Sequence, residues 1–400
     1  MNKYTIALAN TCLGCKKPSC QTGCPVNTPI AEMIRLFLAG DIKKAGKMLF
    51  ENNPLSAICS LVCPHEKHCE GHCILNKKGT SVSVGEIENY ISDFYMNDLK
   101  FERPSKNGHK IAIIGTGPAG IALAFILGAK GYEITMYEAH DKIGGVLRYG
   151  IPDFRLDKKI LDTLEKKLDQ LGVTIRKNIM IGRNITIADM FRDEFKVVFV
   201  GTGVWSPKKL GIKGESLGNV HFAIDYLKSP SEYNLGKRVV VLGAGNVAMD
   251  VARTAVRHHA REVTILYRKG MDDMPASKHE IECAKIDGVK FELYKQPIEI
   301  TESRVKYAEI TNDNKEGFLE ADSVLVSISQ DPRGYIAKST QEIQVDGKGL
   351  LITDESGRTT MKGVFASGDA VTGARTVVEA VAFSKRAAVA IEEYIETCKA

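Results

Sequence analysis

The stretch Lys110-Ile111-Ala112-Ile113-Ile114-Gly115-Thr116-Gly117-Pro118-Ala119-Gly120 decides the fold of this chain. Residues 110–114 make an apolar run of strand length, and residues 118–130, opened by Pro118, predict a helix. A Gly-x-Gly-x-x-Gly turn joins them. Gly115 permits the tight turn, Gly117 lets the backbone approach a pyrophosphate, and Gly120 lets helix and strand pack closely. The helix start adds amides and a partial positive charge for that phosphate. Residues 134–137 read as the next strand, and Glu138 ends it where a carboxylate bonds ribose hydroxyls. Residues 111–129 carry no charge and approach the length that spans a bilayer. Glycine and proline interrupt them where strand passes to helix, so a buried strand-turn-helix in a soluble, cytoplasmic protein is expected.

The same order returns further on. Residues 238–242 read as a strand, 246–258 as a helix and 262–266 as a strand, with Gly243-Ala244-Gly245-Asn246-Val247-Ala248 as the turn. Setting the two second strands side by side, EITMYEAH against VTILYRKG, puts Arg268 level with Glu138. Arg268 and Lys269 in place of an acid suit a 2′-phosphate, so NADPH is favoured and NADH remains open. Lys278 is a further candidate for that pocket, and solvated loop charges are the plain alternative. A third segment, Val364-Phe365-Ala366-Ser367-Gly368-Asp369-Ala370, is a strand ending in Gly-Asp, where Asp369 faces the ribityl or pyrophosphate part of a flavin or serves only as a cap. Gly201-Thr202-Gly203 reads as the crossing between nucleotide domains, and residues 377–394 as a closing helix. Strand-helix alternation of this kind means α/β architecture with parallel sheets.

Ahead of these units lie eight of the ten cysteines: Cys12, Cys15, Cys20 and Cys24-Pro25, then Cys59, Cys63-Pro64, Cys69 and Cys73. Between the runs, residues 30–38 and 42–50 have helical apolar spacing, with Asn53-Pro54 as the stop; residues 86–95 read as another helix and 103–108 as a linker. Short cysteine spacings ending in Cys-Pro are a pattern of iron-sulfur ligation. Two tetrahedral zinc sites compete for the same thiolates, yet only Cys12 and Cys15 form the Cys-x2-Cys knuckle zinc prefers. Two [4Fe-4S] clusters are the better reading. Cys283 and Cys398 stand apart as packing or surface residues, and His258-His259 as a pair at a helix end.

Composition sets the bounds. A chain of 400 residues with 44% hydrophobic content has room for two or three domains. The net charge of +5 is dispersed, without the basic blocks that nucleic acid demands. The N-terminus lacks the apolar core of a signal peptide, which weighs against a disulfide framework and for metal or redox use of the cysteines.

Taken together, both cysteine runs, the segments Gly85-Glu86-Ile87-Glu88-Asn89-Tyr90 and Gly144-Gly145-Val146-Leu147-Arg148-Tyr149-Gly150-Ile151-Pro152, YRKG with Met274-Pro275, and GVFASGDAV closely resemble one family. It includes the small (beta) subunit of NADPH-dependent glutamate synthase, the N-terminal half of dihydropyrimidine dehydrogenase and the large subunit of flavin-bifurcating NADH-dependent ferredoxin:NADP oxidoreductase. The resemblance spans nearly the whole chain. It implies a helical domain with two [4Fe-4S] clusters at 1–103, a flavin domain at 104–232 and 331–400, and an inserted NAD(P)H domain at 233–330. It places FAD contacts on Gly115, Gly117, Pro118, Ala119, Gly120, Glu138, Gly145, Val146, Arg155, Gly368, Asp369, Thr376 and Val377. NAD(P)H contacts fall on Gly243, Gly245, Asn246, Val247, Arg268 and Lys269. One cluster would be held by Cys12, Cys15, Cys20 and Cys73, the other by Cys24, Cys63, Cys69 and Glu88, leaving Cys59 a bystander; spacing alone favours Cys59 over Glu88.

The chemistry so implied is hydride transfer from NADPH to the flavin, then single electrons through the clusters. The nucleotide domain has no Cys-x2-Cys for the electrons to visit, and no catalytic side chain is needed. An electron-accepting catalytic partner subunit is expected. A stand-alone reductase and a non-enzymatic iron-sulfur redox sensor are the competing readings; the sensor has no use for an intact NADPH site.

Overall fold

The computed structural model describes residues 2–183 and 185–397. It resolves into two compact units, Met1–Leu147 with Asp153–Val204 and Pro332–Ala400, and Arg148–Pro152 with Trp205–Asp331. Cys398 lies outside the described residues. Among those described, no helix is long and apolar enough to cross a membrane.

The first unit contains a five-stranded parallel sheet in the order Val364–Ala366, Val197–Val200, Lys110–Ile114, Glu133–Tyr137, Thr174–Arg176. Its strand order reverses beside Lys110–Ile114, and ligands of such sheets bind at the carboxyl ends there. The uncharged helix Pro118–Gly128 is buried almost all round, lying against the closing helix Val377–Thr397. That burial is why its sequence looks fit for a membrane.

Helices Ile30–Leu38, Ile42–Asn52, Ser56–Val62 and Val84–Asp98 build the N-terminal part around Ile30, Met33, Phe37, Leu49, Ile87 and Ile91. The first matches its predicted bounds, and Asn53 ends the second as expected. Phe50 meets Phe125 edge-on at 5.4 Å and Phe101 at 5.7 Å, which seats this part on the nucleotide fold. Each such ring buried contributes roughly 2–3 kcal/mol.

The second unit repeats the plan: a parallel sheet ordered Val220–Phe222, Ser323–Val326, Arg238–Leu242, Glu262–Tyr267, Lys290–Leu293. Because Val220–Phe222 pairs with Ser323–Val326, residues 205–232 fall in this unit rather than with the flavin fold, where the sequence reading had them. An antiparallel meander, Lys295–Ile300, Arg304–Glu309 and Lys315–Glu320, was not anticipated. His258 and His259 are exposed at the end of helix Asn246–Arg257.

Candidate functional site

At the carboxyl end of Lys110–Ile114, the three glycines divide the work. Gly115 has φ +99°, and a Cβ there would fall 2.5 Å from the Gly201 carbonyl oxygen. One on Gly120 would fall 2.1 Å from the Gly115 oxygen, whereas one on Gly117 would meet nothing within 4 Å. Two glycines are therefore required by packing, and the middle one leaves open space over the loop. Helix Pro118–Gly128 starts on Gly117 without a capping side chain, with Pro118 in its first turn and Ala119 next. Its first amides are thus left for an external acceptor, which fits a pyrophosphate.

Neighbouring turns close on this loop. Gly144 N donates to Thr116 O at 2.9 Å, bringing Gly145 and Val146 alongside. Gly368 lies so near that its Cβ would come 3.1 Å from Ala119 Cβ. Asp369 follows, accepting from Arg375 N at 3.2 Å, and Thr376 caps the closing helix through Glu379, with Val377 as its first residue. Burial pushes the Asp369 carboxyl up to about 6. Arg155 sits half-exposed in the turn at 153–155.

Glu138 is 5% exposed and already occupied. One carboxylate oxygen accepts from Thr116 N at 3.1 Å and from the Thr116 hydroxyl; the other accepts from His140 N at 2.9 Å and faces His140 Nδ1 at 2.9 Å. Burial works against its charge, but these bonds outweigh burial and hold it below the usual carboxylate range. Thr116 and His140 were missed in sequence because their role depends on a contact across the turn.

The second loop has the same construction. Gly243 has φ +130° and its Cβ would fall 2.1 Å from Ser327 O, while Gly245 faces open space. Helix Asn246–Arg257 starts on Gly245 with no capping side chain, and Ala248 is fully buried in place of the third glycine. Asn246 Oδ1 accepts from Ser277 N at 2.8 Å, and Ser277 in turn caps helix Lys278–Ile286. That tie was not foreseen. Val247 packs partly buried against the core.

Strand register corrects one expectation. Ile114 pairs with Tyr137 and Leu242 with Leu266, so the residue level with Glu138 is Tyr267, and Arg268 comes one position later. The cause is a strand one residue longer. Tyr267 Oη donates to Asp273 O at 3.0 Å, while Arg268, Lys269 and Lys278 are exposed. A 2′-phosphate therefore still finds two adjacent cations at the strand end.

The cysteines form two interleaved groups, and none of the nine described is in a disulfide. Burial first, then the neighbouring charges of Cys73, Cys12 and Cys15, push the Cys20 thiol up to about 11. In the other group a hydrogen bond with Cys59, then burial and the charges of Cys59, Glu88 and Cys69, raise Cys63; burial, Glu88, Glu70 and Cys24 raise Cys69. Glu88 is 7% exposed on helix Val84–Asp98, and burial alone pushes it up to about 8. Cys59, 3% exposed on Ser56–Val62, stands with this second group too. Among the described residues no trio of His, Cys, Asp or Glu is set to hold a single metal ion. Crowding that opposes ionisation of Cys20, Cys63 and Cys69 fits a cationic iron-sulfur core, which takes its ligands as thiolates. Cys283, half-exposed, lies away from both groups, with its sulfur 3.6 Å from His279 Nε2.

Comparison with known proteins agrees with this geometry. Residues 109–383 match the pyridine nucleotide-disulphide oxidoreductase family, and residues 1–99 match dihydropyrimidine dehydrogenase domain II, 4Fe-4S cluster. The glutamate synthase [NADPH] small chain of Escherichia coli K12 is 31% identical, over 98% of this chain and 91% of its own length. That of Azospirillum brasilense is 34% identical, over 96% and 88%. The NAD-dependent dihydropyrimidine dehydrogenase subunit PreT of Escherichia coli O157:H7 is 32% identical, over 97% and 93%. Among solved structures, the thioredoxin reductase of T. acidophilum superposes with TM-score 0.58 at 22% identity, covering 72% of this chain and 98% of that one, which speaks to fold alone. Two nucleotide loops of one design behind a cysteine-rich domain thus have a known setting, and the chain belongs to the pyridine nucleotide-disulphide oxidoreductase family as an FAD-dependent, NAD(P)H-using oxidoreductase with a 4Fe-4S domain.

Proposed function

We propose that this chain is an electron-input subunit that draws on NADPH, with NADH the weaker donor, and delivers single electrons through two [4Fe-4S] clusters to a partner subunit carrying the substrate chemistry. Bound FAD supplies the exchange between a two-electron hydride and two single electrons. The chain's own residues bind and orient. Gly115, Gly117, Pro118, Ala119 and Gly120, with Gly145, Val146, Gly368, Asp369, Thr376 and Val377, cradle the flavin nucleotide; Glu138 and Arg155 complete its surroundings. Gly243, Gly245, Asn246 and Val247 receive the nicotinamide nucleotide, and Arg268 and Lys269 attract its 2′-phosphate. Cys12, Cys15, Cys20 and Cys73 ligate one cluster; Cys24, Cys63, Cys69 and Glu88 ligate the other.

The observation that carries this reading is the presence of both thiol groups in the same compact unit as the flavin-type sheet. A partner is supported by the relatives' own names, small chain and subunit. Service to a dihydropyrimidine dehydrogenase is the second reading, favoured by the match along 93% of such a subunit. Anaerobic addition of stoichiometric NADPH is expected to bleach the flavin rapidly and then produce the paramagnetic signals of reduced clusters. A flavin that stays oxidised with either nicotinamide would refute the proposal.

A further inference from the structure

A hydrogen-bonded path runs from the closing helix to a cysteine sulfur. Lys385, on helix Val377–Thr397, donates from Nζ to the backbone oxygen of Asn52 and to its Oδ1, both at 2.8 Å. Asn52 ends helix Ile42–Asn52, so its carbonyl is one that the helix leaves without a donor. Asn52 Nδ2 donates to Thr28 Oγ1 at 3.4 Å, and Thr28 Oγ1 stands 3.3 Å from Cys24 Sγ. Thr28 is 3% exposed and Cys24 half-buried, so the middle of the path lies out of water.

The direction of the bonds is set from the two ends, an ammonium at one and a thiolate ligand at the other. An ammonium has only donors, so the oxygens of Asn52 must face Lys385. The amide nitrogen of Asn52 then has to face Thr28, which fixes an orientation an isolated amide would leave open. A cluster-bound Cys24 is a thiolate with no hydrogen of its own, so in the contact with Cys24 Sγ the Thr28 hydroxyl is the donor. A chain polarised by a charge at its far end delivers a stronger final bond than a lone hydroxyl. Among the described residues no side-chain hydrogen bond reaches the sulfurs of Cys12, Cys15, Cys20 or Cys73.

We infer that Lys385, Asn52 and Thr28 form a directed relay that donates a hydrogen bond to Cys24 Sγ and raises the reduction potential of the cluster Cys24 holds. The inference rests on the reading of Cys24 as a ligand. Reduction adds one electron to the cluster and with it negative charge on the sulfurs, which a donated hydrogen bond stabilises. No bond breaks, and the hydrogen stays on Thr28 Oγ1. The relay thus makes the Cys24 cluster the more easily reduced of the two, other influences being equal, and couples its potential to a lysine on the flavin-side helix.

The test is an anaerobic redox titration of the full protein, each cluster followed by its electron paramagnetic resonance. Cys24→Ala first assigns the signal; if it costs no iron, the ligand reading fails and this inference with it. Thr28→Val, which keeps the shape and removes the donor, is expected to lower the reduced-to-oxidised ratio of that cluster about tenfold at fixed potential, ~59 mV for one electron. Lys385→Met should shift it the same way by less, Thr28→Ser should retain the parent value, and the other cluster should not move. Unchanged potentials in both Thr28→Val and Lys385→Met, with iron content intact, would overturn the relay.

Discussion

Asp369 begins the helix that follows the last strand of the flavin-type sheet, largely out of water, and burial raises its carboxyl from the ordinary 3.8 to about 6. In the flavin-free protein the folded state therefore holds this proton more tightly than the unfolded chain. The stability it contributes is full below about pH 4 and is lost as pH rises to about 6. Asp369→Asn removes that loss, so its urea midpoint should pull ahead of the parent's between pH 5 and pH 7, by roughly 2–3 kcal/mol at most. Equal gaps at both pH values would show that the carboxyl is solvated after all. Glu88 poses the other question at this scale, since it and Cys59 both stand beside Cys63. With Glu88 as ligand, Glu88→Ala should lose the iron of one cluster and Cys59→Ala should keep all eight ligands' worth. The reverse result would make Cys59 the ligand. Spacing favours Cys59 and the family resemblance names Glu88; spacing does not reach Glu88 because a ligand's place depends on which side chain a helix turns toward the group.

Helix Asn246–Arg257 carries more than the nucleotide loop at its start. Arg253 bonds Glu280 Oε2 at 2.8 Å and Asp287 Oδ2 at 2.8 Å, and Arg257 reaches the same Asp287 oxygen at 2.6 Å. The Arg253 and Glu280 side chains are only 11% and 7% exposed. Removing one partner from such a buried network leaves uncompensated charge and costs about 3 kcal/mol or more. Arg253→Met should therefore lower the unfolding midpoint of the second unit by that order, read by circular dichroism in urea; a loss under about 0.5 kcal/mol would mean the acids find other partners. Elements of this kind were legible where apolar period and glycine or proline punctuation agreed, as in Lys110–Ile114 and Ile30–Leu38. The antiparallel meander was not, since its strands are half-exposed and its turn uses Asp313 and Asn314 at positive φ rather than a glycine. The one-residue offset at Tyr267 escaped for a related reason: strand length is set by pairing, which a single chain read linearly does not display.

At the scale of the whole molecule, the two nucleotide units and the cysteine domain could be read from the chain because each depends on local motifs. The partition of thiols into two interleaved groups could not be read from spacing, since Cys73 must return across the chain to join Cys20. Nor could the place of residues 205–232, which follows from a long-range strand pairing. The order of that pairing has a consequence for biosynthesis. The second unit is encoded as one nearly continuous block, Trp205–Asp331, whereas the first needs Val364–Ala366 to complete its sheet and Val377–Thr397 to cover Pro118–Gly128. On the ribosome the inserted unit has all its strands before the flanking one can close. The loop at Gly115–Gly120 is thus enclosed only once residues 364–397 have followed the inserted unit, and capture of a nucleotide there becomes a step that comes after the second unit is built rather than one that accompanies it.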